Sequence, residues 1–437
     1  MELPPGEPTQ LNHALESDQR SAVSSLSKDF FKQASKYLAE VDTTLAERYP
    51  GDFGGRQPIH TCYVPADKFS SRTIHEWGEH ARNALSAHAS SAAEFAEVIG
   101  VKEEVVADWW PRLQEKLTSE PIEDLRIDFE DGYGRRSDIE EDDHVTSALA
   151  STQSLTTAFS GIRMKSLEAV TRDRALRTLD QFITGLAKQG GVPENFVVTL
   201  PKVTFVEQVE VMVKACEELE HSLKLNAGTI RFEIQIETTQ AIVSPKGKVS
   251  AALMIDAAQG RLTAFHYGTY DYSAAAGISA AYQTLDHPAA DFAKSLLQVV
   301  AAGTGVRLSD GSTNIIPIGE RDSVRAAWAN HYRLVRRSLE RGFYQGWDLH
   351  GAQIPTRIAA NFTFYREGLA AASQRLRTYL DKAESGTMDE PATALALAGY
   401  FLRGLDSGAI TSAEMFSLTG QSEEALRALV KRRGQLN

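Results

Sequence analysis

The chain has 437 residues, 42% of them hydrophobic and 24% charged, which is ordinary globular composition. Its net charge of -12 argues against a nucleic-acid binder, which would show a basic face, and fits a soluble cytoplasmic protein. The two cysteines, Cys62 and Cys216, are too few for a disulfide framework, form no CxxC, and read as reduced thiols.

The first residues, MELPPGEPTQ, lack the basic start and apolar run of a signal peptide. No apolar stretch approaches the roughly 20 residues that span a bilayer, so no membrane partner is expected. Residues 1–56 read as a polar helical extension, with helix-spaced apolar positions from Phe30 to Leu45. Ile59–Pro65 reads as a buried strand stopped by proline. Residues 72–120 are helical again, and the part near 90–117 is longer than one crossover helix needs, which suggests a helical insertion. From there strands and helices alternate. Strands are expected at Leu125–Glu130, Thr157–Met164, Phe196–Pro201, Arg231–Glu237, Leu262–Asp271, Asn314–Ile318 and Trp347–His350. Helices are expected at Glu168–Gln189, ended by Gly190-Gly191, and at Val206–Leu223, Phe292–Ala302 and Ser323–Arg341. Regular alternation implies a parallel sheet, and eight such units fit a closed (β/α)8 TIM barrel over 57–356. Residues 357–437 read as a C-terminal helical region for capping or oligomerisation.

In such a barrel the C-terminal strand ends and the loops after them form the active site. Two acids end neighbouring strands, Glu237 and Asp271. Asp128, Glu130, Asp131, Arg163, Lys202, Asp348 and His350 fall at other strand ends. Any one of these acids alone reads as a helix cap. Gathered at one mouth they repel unless a cation sits among them. Carboxylate oxygens suit Mg²⁺ or Mn²⁺, and no Cys/His spacing for zinc is present. Glu237 and Asp271 are therefore the expected metal ligands, with Arg163 placed to face a substrate oxygen on which negative charge develops. Glu130 and Asp131 would hold metal-bound water, orient Arg163 or move a proton; the competing reading has them capping the next helix or pairing with Arg135 and Arg136. Lys202 reads as the ion-pair partner of an acid in the mouth rather than as a Schiff-base lysine. His350 reads either as an acid/base group or as a structural hydrogen-bond partner. The acid run Asp138–Asp143 reads as a solvated helix start. Trp109 and Trp110 read as burying the inserted helices against the barrel.

An ordered series of segments then carries a family resemblance: Tyr63-Val-Pro65, Ile127-Asp-Phe-Glu-Asp131, Ile162-Arg163, Leu200-Pro-Lys-Val203, Ile236-Glu-Thr238, Gly268-Thr-Tyr-Asp271 and Gly346–Ile354. Together they resemble the citrate lyase β-subunit-like family of the HpcH/HpaI aldolase and malate synthase superfamily, as a long divergent branch. The resemblance implies Mg²⁺ on Glu237 and Asp271, Arg163 on the substrate carboxyl and oxyanion, and Glu130 and Asp131 supporting the metal waters and the chemistry. It also brings Gly268, Thr269 and His350 to the substrate, and implies a homo-oligomer. The departures are Val64-Pro65-Ala66 for Val-Pro-Gly and His350-Gly351 for His-Pro, with a chain longer than usual. They touch regions that handle CoA in relatives and shift the expectation towards a free acid.

The expected function is a Mg-dependent carbon–carbon lyase acting on a 2-oxo or hydroxy carboxylic acid through a metal-stabilised enolate. The alternatives are a condensing enzyme of malate synthase or malyl-CoA lyase type using a CoA thioester, and a non-catalytic assembly protein.

Overall fold

The structure, a computed structural model, describes residues 25–385 and 391–431. Residues 1–24 of the expected helical extension at 1–56, and the last residues of the C-terminal region, lie outside the described residues. The chain divides into two compact units, Met1–Arg48 and Tyr49–Asn437. In the first, α1 (Lys28–Arg48) carries the apolar spacing read from the sequence, and none of its residues is buried.

The second unit begins with β1 (His60–Pro65), followed by α2 (Thr73–His88), α3 (Ala92–Ile99) and α4 (Glu103–Ser119). Next come β2 (Asp124–Asp128), α5 (Asp138–Thr152), β3 (Phe159–Arg163), α6 (Arg172–Lys188), β4 (Phe196–Leu200) and α7 (Val206–Leu223). After these are β5 (Arg231–Ile236), α8 (Ser250–Ala257), β6 (Leu262–Tyr267), α9 (Thr269–Ala275) and α10 (Pro288–Ala301). The barrel ends with β7 (Arg307–Ser309), α11 (Arg321–Glu340) and β8 (Gly346–Asp348). Five helices follow: α12 (Ile354–Glu367), α13 (Leu369–Ser385), α14 (Pro391–Asp406), α15 (Ser412–Thr419) and α16 (Glu423–Lys431).

The eight strands run in the order β7-β6-β5-β4-β3-β2-β1-β8, every pair parallel. A parallel bridge between Ser309 and Gln345 joins the two outer strands. The Asp310 N–H donates to the Gln345 carbonyl at 2.8 Å and the Trp347 N–H to Gly311 at 3.2 Å. The sheet thus closes into a (β/α)8 barrel.

Side chains alternate along each strand, and here the alternation sorts polar from apolar. Leu125 and Ile127, Val198 and Leu200, and Phe232, Ile234 and Ile236 belong to the apolar core with the surrounding helices. Their neighbours meet across the barrel interior. Arg126 of β2 donates to Glu233 of β5 at 2.9 Å, Trp347 of β8 donates to His266 of β6 at 3.0 Å, and Gln235 of β5 donates to the Tyr63 hydroxyl at 3.3 Å. The same parity carries Asp128 and Glu237 inward at the top. Among the additional helices, buried Trp109 of α4 packs edge-on to Phe95 of α3 and to Phe362 of α12. Ser137 caps α5 with Glu140 in a reciprocal box, which starts the acidic run as a helix.

Three expected elements differ. The seventh strand is Arg307–Ser309, not Asn314–Ile318. Pro317 has no N–H to give a ladder, and Ile315 and Ile318 are 50% and 61% exposed, so the apolar run is loop. The sixth strand stops at Tyr267, and Asp271 sits in the first turn of α9. Asp348 does not face the mouth. With Trp347 directed inward, parity turns Asp348 out to His60, to His331 of α11 and to Arg357 of α12.

Candidate functional site

Five consecutive strands, β2 to β6, deliver charged side chains just past their C-terminal ends. Inward parity along β2 places Asp128 at the rim, where Arg163 from the end of β3 meets it. Arg163 Nε and Nη2 donate to the two Asp128 oxygens at 2.6 and 2.7 Å, a bidentate pair. The guanidinium also lies 4.7 Å over the Tyr63 ring. Its third nitrogen, Nη1, lies 3.6 Å from Glu130 Oε2. Arg163 is buried and fixed from two sides.

Glu237 follows β5 and is also buried. Its Oε2 accepts from the Lys202 N–H at 3.0 Å. Gly268, after β6, allows it to sit there, because a Cβ at that position would stand 2.3 Å from Glu237 Cγ. Lys202 has φ of 51°, and its side chain reaches back into the mouth. The ammonium donates to Glu130 Oε1 and to Asp131 Oδ2, each at 2.7 Å, and lies 3.5 Å from Asp271 Oδ2. One oxygen from each of Asp131, Glu237 and Asp271 lies within 4.8 Å of the others, a spacing that one small cation can draw together. The Lys202 ammonium reaches two of the three, Asp131 and Asp271.

The electrostatics follow from burial and crowding. Burial pushes the Glu237 carboxyl up to about 8; Lys202 and Arg163 pull the other way, and Glu130 and Asp271 add to the rise. Burial likewise lifts Glu130 to about 7 against Arg163 and Lys202. Asp131 is also penalised by burial, but the Lys202 hydrogen bond and charge hold it below the usual aspartate value. Burial works against the Lys202 ammonium, and Glu237 and Glu130 outweigh it, so that lysine stays charged.

The structure therefore gathers Glu130, Asp131, Arg163, Glu237 and Asp271. Gly268 lines the same spot through its contact with Glu237. Thr269 is buried beside it with its hydroxyl donating to the Ser312 carbonyl at 3.1 Å. His350 is turned to α2, where its ring stacks on His80 at 5.6 Å and its Nδ1 accepts from the Ala352 N–H at 3.1 Å. Burial, then the neighbouring His80, lower its pKa. Tyr63 beneath Arg163 was read from the sequence only as part of a resemblance segment, not as a site residue. Its inward place on β1, two residues from Thr61, was the available signal.

A closed barrel with carboxylates, one lysine and one arginine at its C-terminal mouth is the class that fold and site define. The chain belongs to the family described as a domain of unknown function, DUF6986, whose model matches residues 38–434. No curated protein matches it. Among solved structures it is similar to a malate synthase from Haloferax volcanii in a magnesium/glyoxylate complex. That match has 14% identity and a TM-score of 0.47 and covers 86% of this chain and 97% of the other. It is also similar to the protein CitE from Mycobacterium tuberculosis, in complex with magnesium, acetoacetate and coenzyme A. There the identity is 16% and the TM-score 0.43, over 81% and 99% of the two chains. RipC from Yersinia pestis matches at 15% identity and a TM-score of 0.41, over 71% and 96%.

Proposed function

We propose that the protein is a divalent-cation-dependent carbon–carbon lyase acting on a small 2-oxo or hydroxy carboxylic acid. The observation that carries this reading is the convergence of Asp131, Glu237 and Asp271, one oxygen of each within 4.8 Å of the others, beside a fixed arginine. These three carboxylates would hold Mg²⁺ or Mn²⁺, because the donor set is oxygen only. A cation bound there supplies Lewis acidity to the oxygens of a bound oxo acid.

The chain's own residues do the rest. Asp128 uses both its oxygens to fix Arg163 and leaves Nη1 directed towards Glu130, where it meets a substrate carboxylate or the oxygen on which charge develops. Glu130, lifted to about 7, takes up and releases a proton near neutral pH and is the group suited to move one at the substrate carbon. A second reading is an acyl-CoA-dependent condensation at the same residues. It is favoured by the open upper side of the mouth, where the Asp131 and Asp271 side chains are 53% and 47% exposed.

Oxo- and hydroxy-acids assayed with Mg²⁺ and Mn²⁺, with and without a CoA thioester, separate the two readings. Glu237→Ala and Asp271→Ala are expected to abolish turnover while leaving a folded protein. Full turnover in EDTA overturns the proposal. No helix among the described residues is long and apolar enough to cross a membrane.

A further inference from the structure

At the end of the barrel opposite the acid mouth, a cavity of about 330 Å³ opens between Gly51–Gly55, the start of β7 and the helices α14 and α16. That volume falls within the range of small-molecule sites. Three guanidinium groups line it, Arg307, Arg403 and Arg427, against two carboxylates, Asp52 and Asp406. Arg427 is fully engaged. Its Nη2 lies 2.6 Å from Asp406 and 2.8 Å from Glu423, and its Nη1 donates to the Gly54 carbonyl at 2.6 Å. Arg403 lies 4.2 Å over the Tyr344 ring and reaches Asp52 only at 3.4 Å.

Arg307 differs from both. Among the described residues it makes no ion pair, and its Nη2 donates to the Gly55 carbonyl at 2.9 Å. A guanidinium keeps its charge in a protein, so the remaining N–H groups call for an oxyanion. Burial presses its pKa down and the nearby Arg231 and Arg403 add to this, while Asp52 and Asp406 pull it back without coming within ion-pair distance. The backbone makes room for both open arginines. A Cβ at Gly55 would stand 3.2 Å from Arg307 Nη2, and one at Gly399 would stand 2.9 Å from Arg403 Nη1. A second cavity of about 440 Å³ shares Gly55, Gly305 and Arg307 and continues towards Arg231. In a chain of net charge -12, the arginines lining this cavity outnumber its carboxylates by one, which favours an anion there.

We propose that this cavity is a binding site for a small organic anion, a phosphate ester or a polycarboxylate, held bidentately by Arg307 and supported by Arg403. It is separate from the acid mouth and does not depend on the activity assigned there.

The test uses the full chain stripped of divalent cations on a chelating resin and kept free of soluble chelator, so that no cation at the mouth recruits the probe and no polycarboxylate competes with it. Inorganic phosphate and citrate are titrated against chloride of equal ionic strength, read by thermal unfolding and by hydrogen exchange. A saturable rise in Tm with either probe, and slowed exchange in segments 51–57 and 303–309, supports the site. The probe that saturates names the anion class. Arg307→Gln is expected to weaken half-saturation at least tenfold. Arg321→Gln, which removes an exposed partner of Glu94, is expected to leave it unchanged. Should Arg307→Gln fail to fold, Arg403→Gln leaves β7 intact and is expected to act in the same direction. Equal half-saturation in the wild type and the arginine variants, or no protection of those two segments in the wild type, overturns the proposal.

Discussion

Gly268→Ala is the most discriminating small change at the mouth. Gly268 has φ of -96° and ψ of 100°, a conformation open to alanine, so the change brings no backbone strain. Its whole effect comes through one added carbon, 2.3 Å from Glu237 Cγ, 3.0 Å from Oε1 and 3.1 Å from Cδ. The first of these distances is roughly an ångström short of ordinary contact. Glu237 is buried and cannot swing into solvent, so the overlap is expected to destabilise the protein by about 1–3 kcal/mol, as overpacked cores do. The displaced carboxylate no longer converges with Asp131 and Asp271. Mn²⁺ affinity, read by electron paramagnetic resonance, is expected to fall at least about tenfold, or about 1.4 kcal/mol. A double-mutant cycle isolates the contact. Glu237→Ala removes the Cγ, so on that background Gly268→Ala is expected to cost almost nothing in urea unfolding, a coupling of about 1–2 kcal/mol. Equal destabilisation on both backgrounds, or unchanged Mn²⁺ affinity, refutes the reasoning.

Two further outcomes are expected. Glu237 at about 8 and Glu130 at about 7 titrate well above the free glutamate value of about 4.3. Below about pH 4 both states hold these protons; as pH rises, the unfolded chain ionises first, so stability falls until pH passes about 8. In EDTA the urea midpoint should therefore drop between pH 5 and 8 and the drop should shrink in Glu237→Gln; an equal drop in both proteins contradicts the assignment. Separately, Asp348 lies 2.7 Å from His60 Nδ1, 3.2 Å from His331 Nε2 and 2.9 Å from Arg357 Nη2, all buried. Asp348→Asn strands the Arg357 charge and should cost about 3–5 kcal/mol in urea while leaving Mn²⁺ affinity unchanged; a loss under about 1 kcal/mol would show that the cluster holds little together.

Much of this arrangement could be read from the chain because a parallel barrel strand is simple. An apolar run ending on a charged residue gives both the strand and its rim position, which is how Glu237 and Arg163 were found. Asp271 was found by the same rule although it belongs to the following helix, since the rim begins where β6 stops. The rule fails when a strand is short. Arg307–Ser309 has three residues and an arginine at its head, so the more apolar Asn314–Ile318 looked the better strand. It also fails when only the face decides. Asp348 and Glu237 both lie at strand ends, and only the inward Trp347 shows that Asp348 points away. Orienting Arg163 was one of the roles left open for Glu130 and Asp131. Its bidentate partner is Asp128, directly opposite it in the β2–β3 register, with Glu130 at 3.6 Å from its third nitrogen.

Lys202 holds a left-handed backbone that residues with a Cβ seldom adopt. That twist lets one residue serve two neighbours at once, its N–H on Glu237 and its ammonium on Glu130 and Asp131. The mouth thus carries its own tethered counter-ion, and its acids never face one another bare. A dication arriving there would find a monocation already seated. Loading the site would then be an exchange of occupants, in which the local charge would rise by one unit rather than two.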